Sequence, residues 1–133
     1  MIRNSKAVLI CGGLAAILGL CAAAVPDALG SVRPGIWEIT GLPDGHPVRQ
    51  CFSDNTTFAQ LEHRARRCSQ RLLRDSPSSM SMDYNCGPAD FGHSDIDVIT
   101  PRSLRIRTQG ITANMPFNYV LQARRIGDCA PAH

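Results

Sequence analysis

Between Ser79 and Cys86 apolar and polar residues alternate without a break: Met80, Met82, Tyr84 and Cys86 against Ser79, Ser81, Asp83 and Asn85. A period of two is the mark of a strand with one wet face, and it places Cys86 on the buried side. Gly87-Pro88 ends the run. Earlier, Gly35 to Thr40 reads as a strand with Trp37 and Ile39 on one face and Glu38 and Thr40 on the other. The turn Gly41-Leu-Pro-Asp-Gly45 follows, and Pro47 to Phe52 is a second strand.

Ser53 or Asp54 can cap a helix in which Phe58, Leu61 and Ala65 share one face, with Cys68 continuing it. The polar face then carries Glu62, His63, Arg64, Arg66 and Arg67. From Cys68 to Asp75 the pattern fits neither period. Gly92 to Ile99 and Ser103 to Gln109 form a hairpin. Ser94, Ile96 and Val98 face inward on its first strand, and Leu104, Ile106 and Thr108 on its second. A loop of Thr100-Pro-Arg102 pairs Ile96 with Ile106 and Val98 with Leu104, and sets Asp95 opposite Arg107 and Asp97 opposite Arg105. Pro116 to Arg125 is the last strand, with Phe117, Tyr119, Leu121 and Ala123 inward. The expected fold is mainly β: an antiparallel meander of about seven strands, as a curled sheet or small barrel, with one short helix.

Composition changes the picture at the N-terminus. Arg3 and Lys6 precede an uncharged run from Ala7 to Val25, and Ala22 to Ala24 supply small residues for cleavage. This is the pattern of a secretory signal peptide over residues 1–24, with Gly30 a second candidate cleavage point. Two rivals are an uncleaved inner-membrane anchor over residues 7–25 and lipidation at Cys21. The Ala and Gly content weakens the first; Leu20, large where lipoprotein processing wants a small residue, weakens the second. Residues 25–34 form a lead-in, residues 35–129 a single domain, and residues 130–133 a tail. The 133-residue chain loses both early cations but none of its 11 acids with the signal. What remains carries 12 arginines and a net charge of +1, which calls for no nucleic-acid partner.

Cys51, Cys68, Cys86 and Cys129 remain after cleavage, an even number in an exported chain, and disulfides are expected. No C-x-x-C occurs, which argues against zinc. Four cysteines allow three pairings. A straight helix from Asp54 to Arg67 would span about 21 Å and hold Cys51 and Cys68 apart.

Arg33-Pro-Gly-Ile-Trp-Glu38, Gln50-Cys51 before a polar helix start, and Arg124-Arg-Ile-Gly-Asp-Cys129 together resemble an uncharacterised group of small proteobacterial secreted proteins, domain-of-unknown-function family 3617. The resemblance runs from about Arg33 to Cys129. The chain departs from it in having no lysine after Lys6 and no Pro-rich loop between Cys51 and Cys68. The resemblance implies a periplasmic, β-rich protein and assigns no activity. It also favours a shorter helix ending near Glu62, and with it the pairing Cys51–Cys68 and Cys86–Cys129.

Candidate chemistry is sparse. The histidines are His46, His63, His93 and His133, and no G-x-S-x-G elbow accompanies them. His93, Asp95 and Asp97 lie on one strand face at a spacing that could hold a metal; the competing reading is a solvent face whose acids pair with Arg105 and Arg107. Glu38 and Glu62 sit on different elements and make no paired-carboxylate site. Arg64, Arg66, Arg67, Arg71 and Arg74 are the densest charge run, a candidate contact for anionic lipid or an acidic partner, with a solvated surface as the alternative. Trp37 reads as a core anchor more readily than as a ligand-stacking ring. No residue is assigned a catalytic, cofactor-binding or metal-ligating role. The expected function is a non-enzymatic envelope module that binds an apolar small ligand, a lipid or an envelope protein, or that serves structurally. The alternative is a small metal-dependent or hydrolytic periplasmic enzyme using His93 and Asp95.

Overall fold

The computed structural model describes residues 25–131. The expected signal peptide over 1–24, its rivals (an anchor over 7–25 or lipidation at Cys21) and the end of the expected tail with His133 fall wholly or almost wholly outside those residues. Seven strands form one antiparallel sheet: β1 Gly35–Thr40, β2 Val48–Phe52, β3 Ser69–Asp75, β4 Ser79–Gly87, β5 Asp90–Thr100, β6 Ser103–Thr112 and β7 Met115–Gly127. Their order is β2-β1-β7-β6-β5-β4-β3, so the sheet is a meander with the first hairpin added to the edge of its last strand. It has two edges and does not close.

The hairpin β5–β6 has the register read from its side-chain pattern: Ile96 lies opposite Ile106, Val98 opposite Leu104, Asp95 opposite Arg107 and Asp97 opposite Arg105. Matching inner faces fixed it, since a slip of one residue would turn Ile96, Leu104 and Ile106 outward. All three are fully buried. The segment Cys68 to Asp75, without a clear period, is β3. It is exposed along its whole length, so neither face of it had to be apolar.

β2 and β3 are the two edges, so the chain between them must cross the sheet. It does so as a 3-10 helix, Asn55–His63, which packs against β4, β5 and β6. Asp54 caps it, accepting from the Thr56 amide at 2.9 Å. The helix differs from the amphipathic α-helix expected here. Its period is three, and Gln60 (φ −135°, ψ 43°) breaks it. Phe58, Leu61 and His63 are therefore buried, while Ala65, expected on the apolar face, is exposed. His63 was expected on the polar face and is instead in the core.

Phe58 is the plug. Its ring meets Trp37 edge-on at 5.0 Å and Phe52 at 4.6 Å, and it has no exposed surface. Trp37 is the core anchor expected, its indole N–H donating to the Arg33 carbonyl at 3.1 Å. The lead-in contributes as well. A short helical turn, α1 Asp27–Gly30, buries Ala28 and Leu29 completely. Asp75 holds it from the end of β3, accepting from the Asp27 amide at 2.7 Å and the Ala28 amide at 3.2 Å.

The disulfides are Cys51–Cys129 and Cys68–Cys86, not Cys51–Cys68 and Cys86–Cys129 as expected. The reason is β3. Ser69 pairs with Asn85, so Cys68 arrives beside Cys86, with Cα atoms 4.3 Å apart. Cys51 and Cys129 lie on either side of the start of β1, where Ile36 faces both Cys51 and Gly127. A 3-10 helix rises about 2 Å per residue, which carries Cys68 away from Cys51. Cys86, expected on a buried face, is half-buried, because the β4–β5 register shifts between Asn85 and Gly87.

Candidate functional site

The inner face of the sheet is filled, so the most open ground for a ligand is its outer face. There a groove of about 980 Å³ crosses β3 to β7. Two rows of outward side chains flank it. One runs Ser69, Asn85, Phe91, Ile111, Pro116, and the other Arg71, Asp83, His93, Gln109, Asn118. Between them lies the inward row Tyr84, Gly92, Gly110, Phe117. The two glycines are forced by close approach. A Cβ on Gly92 would stand 2.6 Å from the Tyr84 hydroxyl, and one on Gly110 would stand 2.1 Å from the Phe91 carbonyl oxygen. The aromatic rings of Tyr84 and Phe117 occupy the inner space that glycine leaves. A second depression of about 430 Å³ shares His93, Gln109 and Asn118 with the groove and continues it along β6 and β7.

His93 and Asp95 are both on this face, and their neighbours define what they can do. His93 Nδ1 is 2.7 Å from Asp83 Oδ1, and Nε2 is 3.3 Å from Asp95 Oδ1. The Ser81 hydroxyl donates to Asp95, not to His93. Burial pushes the Asp95 carboxyl up, but the Ser81 hydroxyl, His93 and Arg107 outweigh it and hold it below its ordinary 3.8. A nucleophilic centre needs the hydroxyl on the imidazole, with the acid behind it. Here the acid stands between them. Asp97 is not part of the cluster. Among the described residues, no three His, Cys, Asp or Glu side chains are grouped as a metal site. The register sets Asp95 opposite Arg107 and Asp97 opposite Arg105, yet neither pair is among the ion pairs of the described residues. Asp95 turns along the sheet to Ser81 and His93 instead.

The five arginines that are dense in the sequence separate in space. Arg64 donates to Gln50 at 2.7 Å beside β2. Arg66 reaches Asp90 at 2.6 Å and the Cys86 carbonyl at 2.7 Å. Arg67 is exposed. Arg71 faces Asp83 at 3.7 Å in the groove, and Arg74 donates to Ser81 at 3.4 Å. Only Arg71 and Arg74 lie on β3, where a register shift between Leu72 and Arg74 leaves both on the outer face opposite Asp83 and Ser81, while Arg64, Arg66 and Arg67 sit in the connection before the strand.

Two polar residues with no sequence signal organise the frame. Gln60 is buried, and its amide donates to the carbonyls of His63 and Arg66 at 3.1 and 2.8 Å while accepting from Gln70 at 2.8 Å. His63 is buried between Tyr84, whose hydroxyl is 3.0 Å from Nδ1, and Asp90, whose Oδ1 is 3.3 Å from Nε2. Burial pushes the Tyr84 phenol up to about 12, and its hydroxyl shares a hydrogen bond with Nδ1 whose direction follows the imidazole tautomer. The Asp90 carboxylate can only accept, so the hydrogen bond at Nε2 is one that the imidazole donates. The Ala113 amide and the Arg66 guanidinium hold Asp90 below its ordinary 3.8. Only the kink at Gln60 turns His63 inward, so no period in the sequence marks it.

No helix among the described residues is long and apolar enough to cross a membrane. No similar curated protein and no similar solved structure is found. A family model described as a protein of unknown function (DUF3617) matches residues 32–129, from the end of the lead-in to the last cysteine. With that match covering most of the chain, and the fold and two disulfides as described, this protein belongs to the DUF3617 family.

Proposed function

We propose that this chain is an exported envelope protein that binds rather than catalyses, and that its ligand lies in the outer groove across β3 to β7. The single observation that carries this reading is the contrast between the two faces. The inner face is filled by Phe58, Trp37, Ile96, Leu104, Ile106 and Leu121, all with essentially no exposure, while the outer face carries the groove of about 980 Å³. An apolar ligand inside the curled sheet has no room. The outer groove has the mix expected of a binding site, apolar side chains with a few convergent polar groups. Two disulfides and the uncharged N-terminal run support an oxidising, periplasmic setting.

Native mass spectrometry of the protein purified from a bacterial periplasm tests the reading. The expected result is a retained small molecule that is lost when Ile111→Glu puts a charge in the apolar row. Recovery of the bare chain alone, with Ile111→Glu indistinguishable from it, would overturn the proposal. A hydrolytic role for His93 and Asp95 would instead appear as turnover of a co-purifying molecule that stops in His93→Ala.

A further inference from the structure

The ligand class can be argued from the groove itself, on the reading that the groove is a binding site. Its charges compensate one another: Arg71 and His93 both face Asp83, and His93 also faces Asp95. Within the groove itself neither an anionic headgroup nor a cationic peptide finds an uncompensated partner, and in the adjoining depression Arg107, which makes no ion pair among the described residues, stands opposite the acid Asp95. The groups left over are neutral. The side-chain amides of Gln109 and Asn118 lie opposite each other across β6 and β7, both exposed, and neither makes a hydrogen bond among the described residues. Each amide offers two donors and an acceptor in one plane. Across the groove stands Phe91, a residue 40% exposed, with Ile111 beside it. The second depression continues the site past Gln109 and Asn118, so the site suits a chain rather than a compact molecule.

We infer that the groove takes a neutral oligosaccharide. A pyranose ring has an apolar C–H face and a rim of hydroxyls. The C–H face stacks on Phe91, drawn to the negative face of the aromatic ring. The rim hydroxyls both donate and accept, which is what Gln109 and Asn118 provide, and the next ring of the chain follows into the adjoining depression. A lipid chain would leave both amides desolvated and unpaired, at a cost of about 1–3 kcal/mol each.

The test is a heteronuclear NMR titration of the disulfide-intact exported chain with an N-acetylglucosamine tetramer, run beside dodecylphosphocholine micelles. The tetramer is expected to shift the amides of Phe91, His93, Gln109, Ile111 and Asn118. Phe91→Ala should weaken binding about tenfold, and Gln109→Ala about fivefold. Raising the salt tenfold should leave Kd within about twofold, since compensated charges take little part. Phe91 and Gln109 are exposed, and unchanged melting curves confirm that both variants fold. Shifts at the groove from the micelles alone overturn the oligosaccharide and leave the groove reading intact. Tetramer shifts elsewhere, or unaltered affinity in both variants, also overturn it. No groove shift with either probe, together with the bare chain in native mass spectrometry, overturns both readings.

Discussion

A methyl group on Gly110 would stand 2.1 Å from the Phe91 carbonyl oxygen and 2.6 Å from the Gly92 Cα, so the β5–β6 pair must part to admit it. Gly110→Ala is expected to cost about 1–3 kcal/mol, read as a lowered urea midpoint. The sequence shows a glycine there but not what it meets, because the contact is across strands. Asp90 is a second residue whose role is spatial. It accepts from the Ala113 amide at 2.9 Å and so steadies Ala113 and Asn114, which both have positive φ, in the β6–β7 turn. Its carboxyl is held below the unfolded value by that amide, by Arg66 and by His63. The folded state thus binds fewer protons near pH 4. The stability Asp90 confers is complete above its unfolded pKa and is lost as pH falls through its lower folded one. The urea midpoint should therefore fall less between pH 6 and pH 3 in Asp90→Asn than in the parent chain.

At the scale of elements, the strands with one buried face were legible and the two segments without a regular period were not. β4, β5, β6 and β7 alternate, and the pairing of β5 with β6 followed from two faces agreeing. β3 is wet on both sides, and the 3-10 helix has a broken period of three. The helix ends at His63, close to the end near Glu62 that the family resemblance implied, but the chain after it runs into β3 beside β4 rather than back to Cys51, and that overturns the implied disulfide pairing. The observed pairing has a consequence of its own. Cys51–Cys129 spans 78 residues and Cys68–Cys86 spans 18, so the chain-entropy model gives about 4–5 and about 3 kcal/mol respectively. Replacing Cys51 and Cys129 by serine should lower the melting temperature more than replacing Cys68 and Cys86. A non-reduced peptide map should recover Cys51 linked to Cys129.

At the scale of the molecule, the domain begins earlier than its family match. The match starts at residue 32, yet Leu29, four residues past Val25, has no exposed surface, and Asn55 donates to the Leu29 and Val32 carbonyls at 3.3 and 2.8 Å. Leu29→Ala is expected to cost about 2–5 kcal/mol in a denaturant titration, as for any fully buried leucine. A chain beginning at Ser31 would lack Ala28 and Leu29, both fully buried, from its core.

Local patterning by itself determined the mainly-β class, the buried faces of five strands, one register and the presence of stapling cysteines. Each follows from a period of two or from an even cysteine count, which need no knowledge of distant residues. Tertiary structure alone decided which cysteines pair, that His63 is buried, that the five arginines part company, and that the room for a ligand is on the outside. These depend on how the connection from β2 to β3 crosses the sheet. A path across a sheet is set by what the whole inner face must bury, and Phe58, taking the space between Trp37 and Phe52, settles it.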